Sequence, residues 1–220
     1  MSLFAAALTS LERVLDSIVP LRARSARTKS RRLEDIPLCP TPHDLLGVRI
    51  TTLMDYRNPA VQDLIQSLKY DGSGHAAQLA ASLLADFLQE EIVTQSTFSA
   101  RKIFIVPIPL HKSRARERGF NQIGLVLDRL PKEFRNGTTA TLAPEILMRS
   151  RKTKQQTRLH RAERLSNVKG AFSAAEGVAF RGAHIFLIDD VTTTGATLAH
   201  ASAPLRKAGA TVSLLALARA

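Results

Sequence analysis

Apolar runs of strand length alternate with helical hydrophobic spacing from Lys102 to the end of the chain. Continuous apolar strands separated by helices indicate a parallel sheet that is covered on both faces. The pattern therefore predicts an α/β fold with a central, mostly parallel sheet flanked by helices. The predicted strands are 102–110, 143–150, 184–190 and 211–220, and the predicted helices are 120–130 and 194–210.

The first 47 residues do not follow this alternation. Leucines recur at helical spacing over residues 1–20 and predict an amphipathic helix. The residues after it are basic and then punctuated by prolines, which is typical of a linker or a small irregular region. We therefore expect an N-terminal helical and basic region over 1–47 and a single α/β domain over 48–220.

One strand and two helices are predicted between the linker and residue 102. Residues 48–56 alternate well enough for a strand. Asn58 before Pro59 provides an N-cap followed by a first-turn proline, and the helix that starts there ends near Gly72. A second, strongly helical stretch covers 75–92.

Composition excludes several classes of protein. No window approaches the roughly 18 consecutive apolar residues of a membrane span. The N-terminus lacks a basic segment before its short apolar run, so a signal peptide is not expected and we place the protein in the cytoplasm. Cys39 is the only cysteine, which excludes an internal disulfide and a zinc site made of several thiolates, and it is expected to be a buried small hydrophobe.

The charge of the chain favours contact with polyanions. Thirty-one basic against nineteen acidic residues give a net charge of +12. The basic residues cluster in three runs, at 22–32, 111–120 and 149–164. Nucleic acid, anionic lipid and multiply phosphorylated small molecules all suit such a charge, whereas any one run also fits a solvated face or an arm.

The stretch IFLIDDVTTTGAT, residues 185–197, carries the clearest chemistry. Asp189 and Asp190 end an apolar strand, and a loop rich in threonine leads from them into a helix. Ligands of open parallel sheets bind beyond the carboxyl ends of the strands. Backbone N–H groups of such a loop, with the helix N-terminus behind them, form an anion site that Gly195 allows a ligand to approach closely. A phosphate in the loop, with carboxylates nearby to accept hydrogen bonds from hydroxyls or to meet a metal, indicates a phosphorylated sugar.

This stretch resembles the 5-phosphoribosyl 1-pyrophosphate (PRPP) motif of type I phosphoribosyltransferases, and it meets every defining position. Three further segments resemble the ComF family of competence proteins, which are phosphoribosyltransferase-like: LIQSLKYDG at 64–72, VPIPLHKSRARERGFNQ at 106–122 and TKQQTRLHRAERLSNVKGAF at 153–172. The resemblance runs from about Tyr56 to the C-terminus. It implies a type I phosphoribosyltransferase-like fold, PRPP as substrate, Mg²⁺ as cofactor, and a link to DNA uptake and transformation.

The resemblance also implies roles for individual residues. Asp189 and Asp190 are the catalytic acids and meet Mg²⁺ indirectly, through PRPP. The loop for the 5′-phosphate consists of Val191, Thr192, Thr193, Thr194, Gly195, Ala196 and Thr197. The loop for the pyrophosphate consists of Pro107, Ile108, Pro109, Leu110, His111 and Lys112. Supporting positive charge comes from Lys69, Arg114 and Arg118. A flexible hood that closes over PRPP, or equally a DNA-contacting loop, contains Thr153, Gln156, Arg164 and Asn167.

The chain departs from the ComF pattern at its start. Family members usually begin with a small cysteine-rich zinc module, whereas this chain has only Cys39, so no structural zinc is expected.

Two hypotheses about function remain open. The first is a Mg-dependent phosphoribosyltransferase, a glycosyltransferase whose nitrogenous acceptor is unknown. The second is a non-catalytic competence protein that senses PRPP or binds single-stranded DNA. Single-stranded DNA and competence or helicase proteins are the candidate macromolecular partners.

Overall fold

The computed structural model describes residues 23–96, 101–110, 119–149, 170–175 and 180–220. Predictions for the N-terminal helix over 1–20 and for most of the basic run at 149–164 lie outside these residues. The helices are α1 (Ala23–Ser30), α2 (Pro59–Asp71), α3 (Gly74–Ser96), α4 (Gln122–Leu127) and α5 (Ala196–Lys207). The strands are β1 (Thr41–Leu45), β2 (Val48–Asp55), β3 (Ile103–Pro107), β4 (Thr141–Leu142), β5 (Leu147–Arg149), β6 (Phe172–Ala174), β7 (His184–Thr192) and β8 (Thr211–Arg219). Short 3₁₀ turns occupy Leu33–Asp35, Lys132–Phe134 and Pro144–Ile146.

The central sheet has the predicted α/β architecture. Six of the described strands follow the order β1-β2-β8-β7-β3-β4, in which every neighbouring pair except β1–β2 is parallel. Helices α2, α3 and α4 cover one face through a core that includes Leu64, Leu84 and Phe186. Helix α5 and the small antiparallel β5–β6 sheet cover the other face through a second core that includes Leu187 and Leu198. The predicted mostly parallel sheet with helices on both faces is confirmed.

Local sequence signals set the limits of the helices that flank the site. The Asn58 side chain accepts hydrogen bonds from the backbone N–H groups of Ala60 and Val61, which caps α2 as predicted. Gly72 ends α2 in the left-handed conformation with φ of +59°. A Cβ at Gly72 would lie 3.0 Å from the Phe120 ring, so the end of α2 packs directly against the segment that leads into α4.

The sheet begins earlier in the chain than residue 48. Residues Thr41–Leu45 form β1, which pairs with β2 in a tight hairpin turned at Leu46 and Gly47. No strand was predicted here because Pro42 lies within the segment, and proline is compatible only with an edge strand. Strand β1 is that edge. The hairpin therefore joins the end of the predicted linker to the sheet, and the division at residue 48 stays a prediction.

Another difference concerns the predicted strand at 143–150. Its first half is the 3₁₀ turn Pro144–Ile146, and its second half, β5, pairs with β6 outside the main sheet. The predicted helix at 120–130 is also shorter, since α4 spans Gln122–Leu127. In the described part of the chain, no helix combines the length and the apolar character needed to cross a bilayer.

Candidate functional site

The acidic pair lies at the carboxyl end of β7, in the middle of the parallel sheet. Side chains alternate along a strand, so Asp189 and Asp190 project from opposite faces. Asp190 is buried and its carboxylate contacts α2 and α4. Asp189 is half-buried on the face that is covered by α5. The two carboxylates therefore lie on opposite sides of β7 near its carboxyl end and do not form a single cluster.

Asp190 is held by residues from three elements. The Gln122 side-chain amide donates a hydrogen bond from Nε2 to Oδ2 of Asp190 at 2.7 Å. The Lys69 ammonium lies 3.4 Å from the same oxygen. The backbone N–H of Val191 donates to the other carboxylate oxygen, Oδ1, at 2.6 Å. The structure thus brings Lys69, predicted only as supporting positive charge, into direct contact with the acidic pair.

The proton affinity of Asp189 is higher than that of an ordinary aspartate. Burial, followed by the neighbouring charge of Asp190, raises the pKa of Asp189 to about 7. The backbone N–H of Asp190, which donates to Oδ1 of Asp189 at 2.9 Å, and the charges of Lys69 and Arg149 lower that pKa and oppose the rise. Asp189 therefore gains or loses a proton close to neutral pH, as groups in functional sites often do.

The loop after the acids has the geometry of an anion site. Gly195 has φ of +78° and is the N-cap of α5, whose first turn contains no acidic residue to offset the positive end of the helix. A Cβ at Gly195 would lie 2.7 Å from Ile50 and 2.9 Å from Leu45, so the loop is seated tightly on the β1–β2 hairpin. The Thr194 hydroxyl accepts a weak hydrogen bond from the Ala196 N–H at 3.4 Å. Of the predicted loop 191–197, Val191 and Thr192 end β7, residues 193–195 form the turn, and Ala196 and Thr197 begin α5.

The predicted pyrophosphate loop starts beside this turn, at the end of β3. Pro107 pairs with Ile188, and the Ile108 N–H donates to the Ile188 carbonyl at 2.8 Å. Pro107 and Pro109 have no backbone N–H, so the described start of this loop offers few donors to an anion. Leu110 is half-buried at its end. Donors for an anion would have to come from 110 onward, and His111, Lys112, Arg114 and Arg118 lie outside the described residues.

Sequence reasoning assigned no role to Asn121 and Gln122, although both lie in the segment that carried the resemblance. The Asn121 amide donates to the Ile108 carbonyl at 3.2 Å, while its oxygen caps α4 by accepting from Ile123 N–H at 3.1 Å. Gln122 holds Asp190, and its own Oε1 is buried without a hydrogen-bond partner among the described residues. The sequence did contain a signal for Gln122. It is a polar side chain directly after the N-cap Asn121, at a position that the helical spacing makes buried.

The remaining predicted residues are threonines near the acids, the hood residues and Cys39. Thr192 is buried at the end of β7, Thr193 is half-buried in the turn, and Thr197 is half-buried in the first turn of α5. The hood residues Thr153, Gln156, Arg164 and Asn167 lie outside the described residues. The expectation for Cys39 was wrong: its side chain is exposed, because the segment before β1 runs along the open edge of the sheet.

Comparison with known proteins gives relatives along most of the chain, although no protein-family model matches. DNA utilization protein YhgH of Escherichia coli strain K12 is 33% identical over 173 residues, which is 78% of this chain and 72% of YhgH. Competence protein ComFC of Streptococcus pneumoniae is 30% identical over 75% of this chain and 65% of its own length. Competence protein F of Haemophilus influenzae is 36% identical over 118 residues, 53% of this chain and 50% of its own.

Among solved structures, an orotate phosphoribosyltransferase of Mycobacterium tuberculosis aligns with 89% of this chain and 95% of its own at 10% identity and a TM-score of 0.35. The sequence relatives are more informative, since their similarity extends over about three quarters of the chain in two of the three cases. The chain belongs to the ComF family of competence and DNA utilization proteins.

Proposed function

We propose that this protein binds PRPP and transfers its phosphoribosyl group to a nitrogenous acceptor. The observation that carries the proposal is the junction of β7 and α5. There two acids, a threonine-rich turn and an uncompensated helix N-terminus follow one another within nine residues, at the carboxyl end of a parallel sheet. Each part suits one part of a phosphorylated sugar.

The turn at 191–197 suits the 5′-phosphate. Backbone N–H groups at the start of α5 and the threonine hydroxyls are donors, and the helix dipole favours negative charge at that position. Only glycine suits position 195, because its φ is positive and an added Cβ would lie too close to Ile50 and Leu45. A rigid turn of this kind binds phosphate without a large ordering cost.

The acids suit the ribose. The carboxylate oxygens of Asp189 and Asp190 would accept hydrogen bonds from the vicinal hydroxyls of the ribose. A charged acceptor binds a hydroxyl more strongly than an uncharged acceptor does. Gln122 supports this arrangement, because its buried Oε1 is a hydrogen-bond acceptor with no donor among the described residues. A ligand hydroxyl or a water would satisfy it. Lys69 helps to hold the Asp190 carboxylate in place through the contact at 3.4 Å.

The donors present fit Mg²⁺ only when it is bound through the ligand. Carboxylate oxygens are the ligands that Mg²⁺ prefers, but Oδ2 of Asp190 is already engaged by Gln122 and Lys69. Asp189 and Asp190 would therefore hold Mg²⁺ indirectly, through PRPP. When bound, the ion would neutralise the pyrophosphate leaving group.

The reaction would break the bond between C1 of the ribose and the pyrophosphate oxygen, whose electron pair leaves with pyrophosphate. A nitrogen lone pair of the acceptor forms the new bond to C1, and the nitrogen then releases a proton to solvent or to a nearby base. The protein would contribute positioning and electrostatic stabilisation of the charge that develops on the sugar. Asp189 and Asp190, close to the ribose, are suited to stabilise that positive charge.

Calorimetric titration of the purified chain with PRPP and Mg²⁺ tests the proposal. We expect the wild type to bind, and the Asp189→Asn/Asp190→Asn variant to bind at least about tenfold more weakly, since charged hydrogen bonds to the ribose are removed. Asp128→Asn, which removes an exposed acid at the end of α4, is the matched control and should bind like the wild type. Absence of binding by folded wild type would overturn the proposal.

A second candidate function is binding of single-stranded DNA, which the relatives named for competence and DNA utilization favour. The basic runs at 111–118 and 149–164 supply positive charge in the same part of the sequence that the resemblance assigns to the site. Aromatic stacking platforms are few, because the chain contains two tyrosines and no tryptophan. Such binding would depend mainly on phosphate contacts and would weaken steeply with salt.

A further inference from the structure

A cavity of about 510 Å³ lies at the carboxyl ends of β2 and β8, beside the proposed PRPP site. Its walls include His43 of β1, Thr52 and Met54 of β2, and Arg219 at the end of β8. The volume lies within the usual range for small-molecule sites, roughly 300–1,000 Å³. None of the roles assigned so far uses this cavity.

Strand register places Thr52 and Met54 of the cavity wall on the same face of the sheet as Asp189. Arg219 starts from the other face, and its guanidinium reaches the cavity at the end of the strand, where it contacts His43. Asp189 pairs with Ala216 of β8, and Ala216 pairs with Thr52 of β2. Paired residues project from the same face, and neighbouring strands are about 4.8 Å apart, so Thr52 is roughly 10 Å from Asp189 across the sheet. Ala216, which is buried in the second core, is the residue between them in this row. Leu45 and Ile50, which lie against Gly195, are each two residues along the hairpin from a residue of the cavity wall, His43 and Thr52 respectively.

The hydrogen bonds in the cavity fix the protonation of His43. Arg219 lies 2.6 Å from Nδ1 of His43, and a guanidinium only donates, so Nδ1 must accept. The proton of the neutral imidazole is therefore on Nε2, which donates to the Thr52 hydroxyl at 2.9 Å. Burial and the charge of Arg219 both lower the pKa of His43, which keeps the ring neutral.

Arg219 lies opposite Asp55 in the β2–β8 register, but among the described residues the ion pair of Asp55 is with Arg57. Asp55, the acid in the cavity wall, is engaged by Arg57, which contacts both of its oxygens at 2.7–3.1 Å. That pairing lowers the pKa of Asp55 to about 2, so the acid stays ionised and neutralises Arg57. The cavity therefore presents the Arg219 guanidinium, the hydroxyls of Thr41 and Thr52, and the thioether of Met54.

We propose that this cavity is the acceptor site and that it takes a planar nitrogen heterocycle carrying a carboxylate. The inference rests on the proposed phosphoribosyl transfer, which requires a nitrogen nucleophile close to the sugar. Arg219 would pair with the carboxylate in the bidentate geometry that guanidinium and carboxylate share. Met54 provides an apolar contact for the ring, and the shared face with Asp189 directs the ring towards the ribose.

Calorimetry of the full chain with a panel of pyridine, pyrimidine and purine carboxylates, each beside its uncharged carboxamide, tests this assignment. We expect at least one carboxylate to bind, its carboxamide to bind on the order of tenfold more weakly, and Arg219→Gln to remove the difference. Arg219→Lys should retain part of it, since the charge remains without the bidentate geometry. Arg181→Gln removes an exposed arginine just before the amino end of β7, at the other end of the strands from the cavity, and this variant should bind like the wild type.

The same titrations in the presence of PRPP and Mg²⁺ separate this inference from the proposed function. If PRPP binds but no carboxylate in the panel does, the acceptor assignment is overturned and PRPP binding stands. If carboxylates bind through Arg219 but PRPP does not, the phosphoribosyl transfer fails and the acceptor role fails with it. Inorganic phosphate that binds through Arg219 as tightly as the best carboxylate would show a general anion site and would overturn the assignment.

Discussion

Asp189 ties the stability of the protein to pH. Its pKa is raised from 3.8 to about 7 by burial and by the charge of Asp190. Between these two values the folded chain keeps a proton that the unfolded chain has released, so the free energy of unfolding falls as pH rises through this window. This loss of stability at higher pH is the free-energy cost of placing two ionised acids side by side, and a bound cation or ribose would offset it.

Asp189→Asn should therefore stabilise the folded protein at pH 8 but not at pH 4. We expect the melting temperature of the variant to exceed that of the wild type by roughly 3–5 °C at pH 8 and by close to zero at pH 4. Thermal unfolding followed by circular dichroism from pH 4 to 8 measures this difference. Asp128→Asn serves as control, and a constant difference between Asp189→Asn and wild type at every pH would contradict the pKa assignment.

At the scale of elements, the arginine-rich helix α1 docks onto α2 through ion pairs. Arg27 and Arg31 both contact Asp63, at 2.6 and 2.9 Å, and Arg24 contacts Asp71 at 2.9 Å. The Thr28 and Ser67 hydroxyls form a buried hydrogen bond at 3.1 Å in the same interface. Arginines of the first basic run are thus neutralised within the protein, which removes them from a polyanion surface.

Asp63→Asn should loosen α1. The substitution leaves Arg27 and Arg31 without their carboxylate, and since Asp63 is only 7% exposed we expect the free energy of unfolding to fall by about 1–2 kcal/mol. Urea denaturation measures this change. Asp44→Asn, an exposed acid on the edge strand β1, should change it by less than about 0.5 kcal/mol. Equal destabilisation in the two variants would show that these ion pairs do not hold the helix.

The elements that could be predicted from the sequence are those whose signals are local. Asn58, Pro59 and Gly72 delimit α2 by themselves, and the apolar run before Asp189 identifies both β7 and the acids at its end. The missed features depend on distant partners. Helix α1 has a polar composition typical of an exposed segment, but it is held against α2 by contacts with Asp63, Asp71 and Ser67. The Gln122–Asp190 contact joins residues 68 positions apart, which no periodicity indicates.

At the scale of the whole molecule, the charge is divided between structural and uncommitted arginines. Arg24, Arg27, Arg31 and Arg57 are paired with acids. The runs at 111–118 and 149–164 contain only Glu117 and Glu163 among many basic residues. If the protein binds single-stranded DNA, these two runs should supply more of the phosphate contacts than the run at 22–32, because Arg24, Arg27 and Arg31 of that run are already paired with acids of α2.

Lys152→Gln/Lys154→Gln/Arg158→Gln should therefore weaken DNA binding and reduce its dependence on salt. For single strands, each phosphate that the protein no longer neutralises lowers the slope of log K against log salt by about 0.7, so a decrease of up to about 2 is expected for the triple variant. Fluorescence anisotropy with a labelled oligonucleotide over a range of NaCl concentrations measures the slope. The matched control is Arg101→Gln/Arg181→Gln/Lys207→Gln. This variant removes three exposed charges near the amino ends of the parallel strands, away from the proposed site. If both variants reduced the slope equally, the protein would bind DNA through its net charge alone, and these runs would have no special part in it.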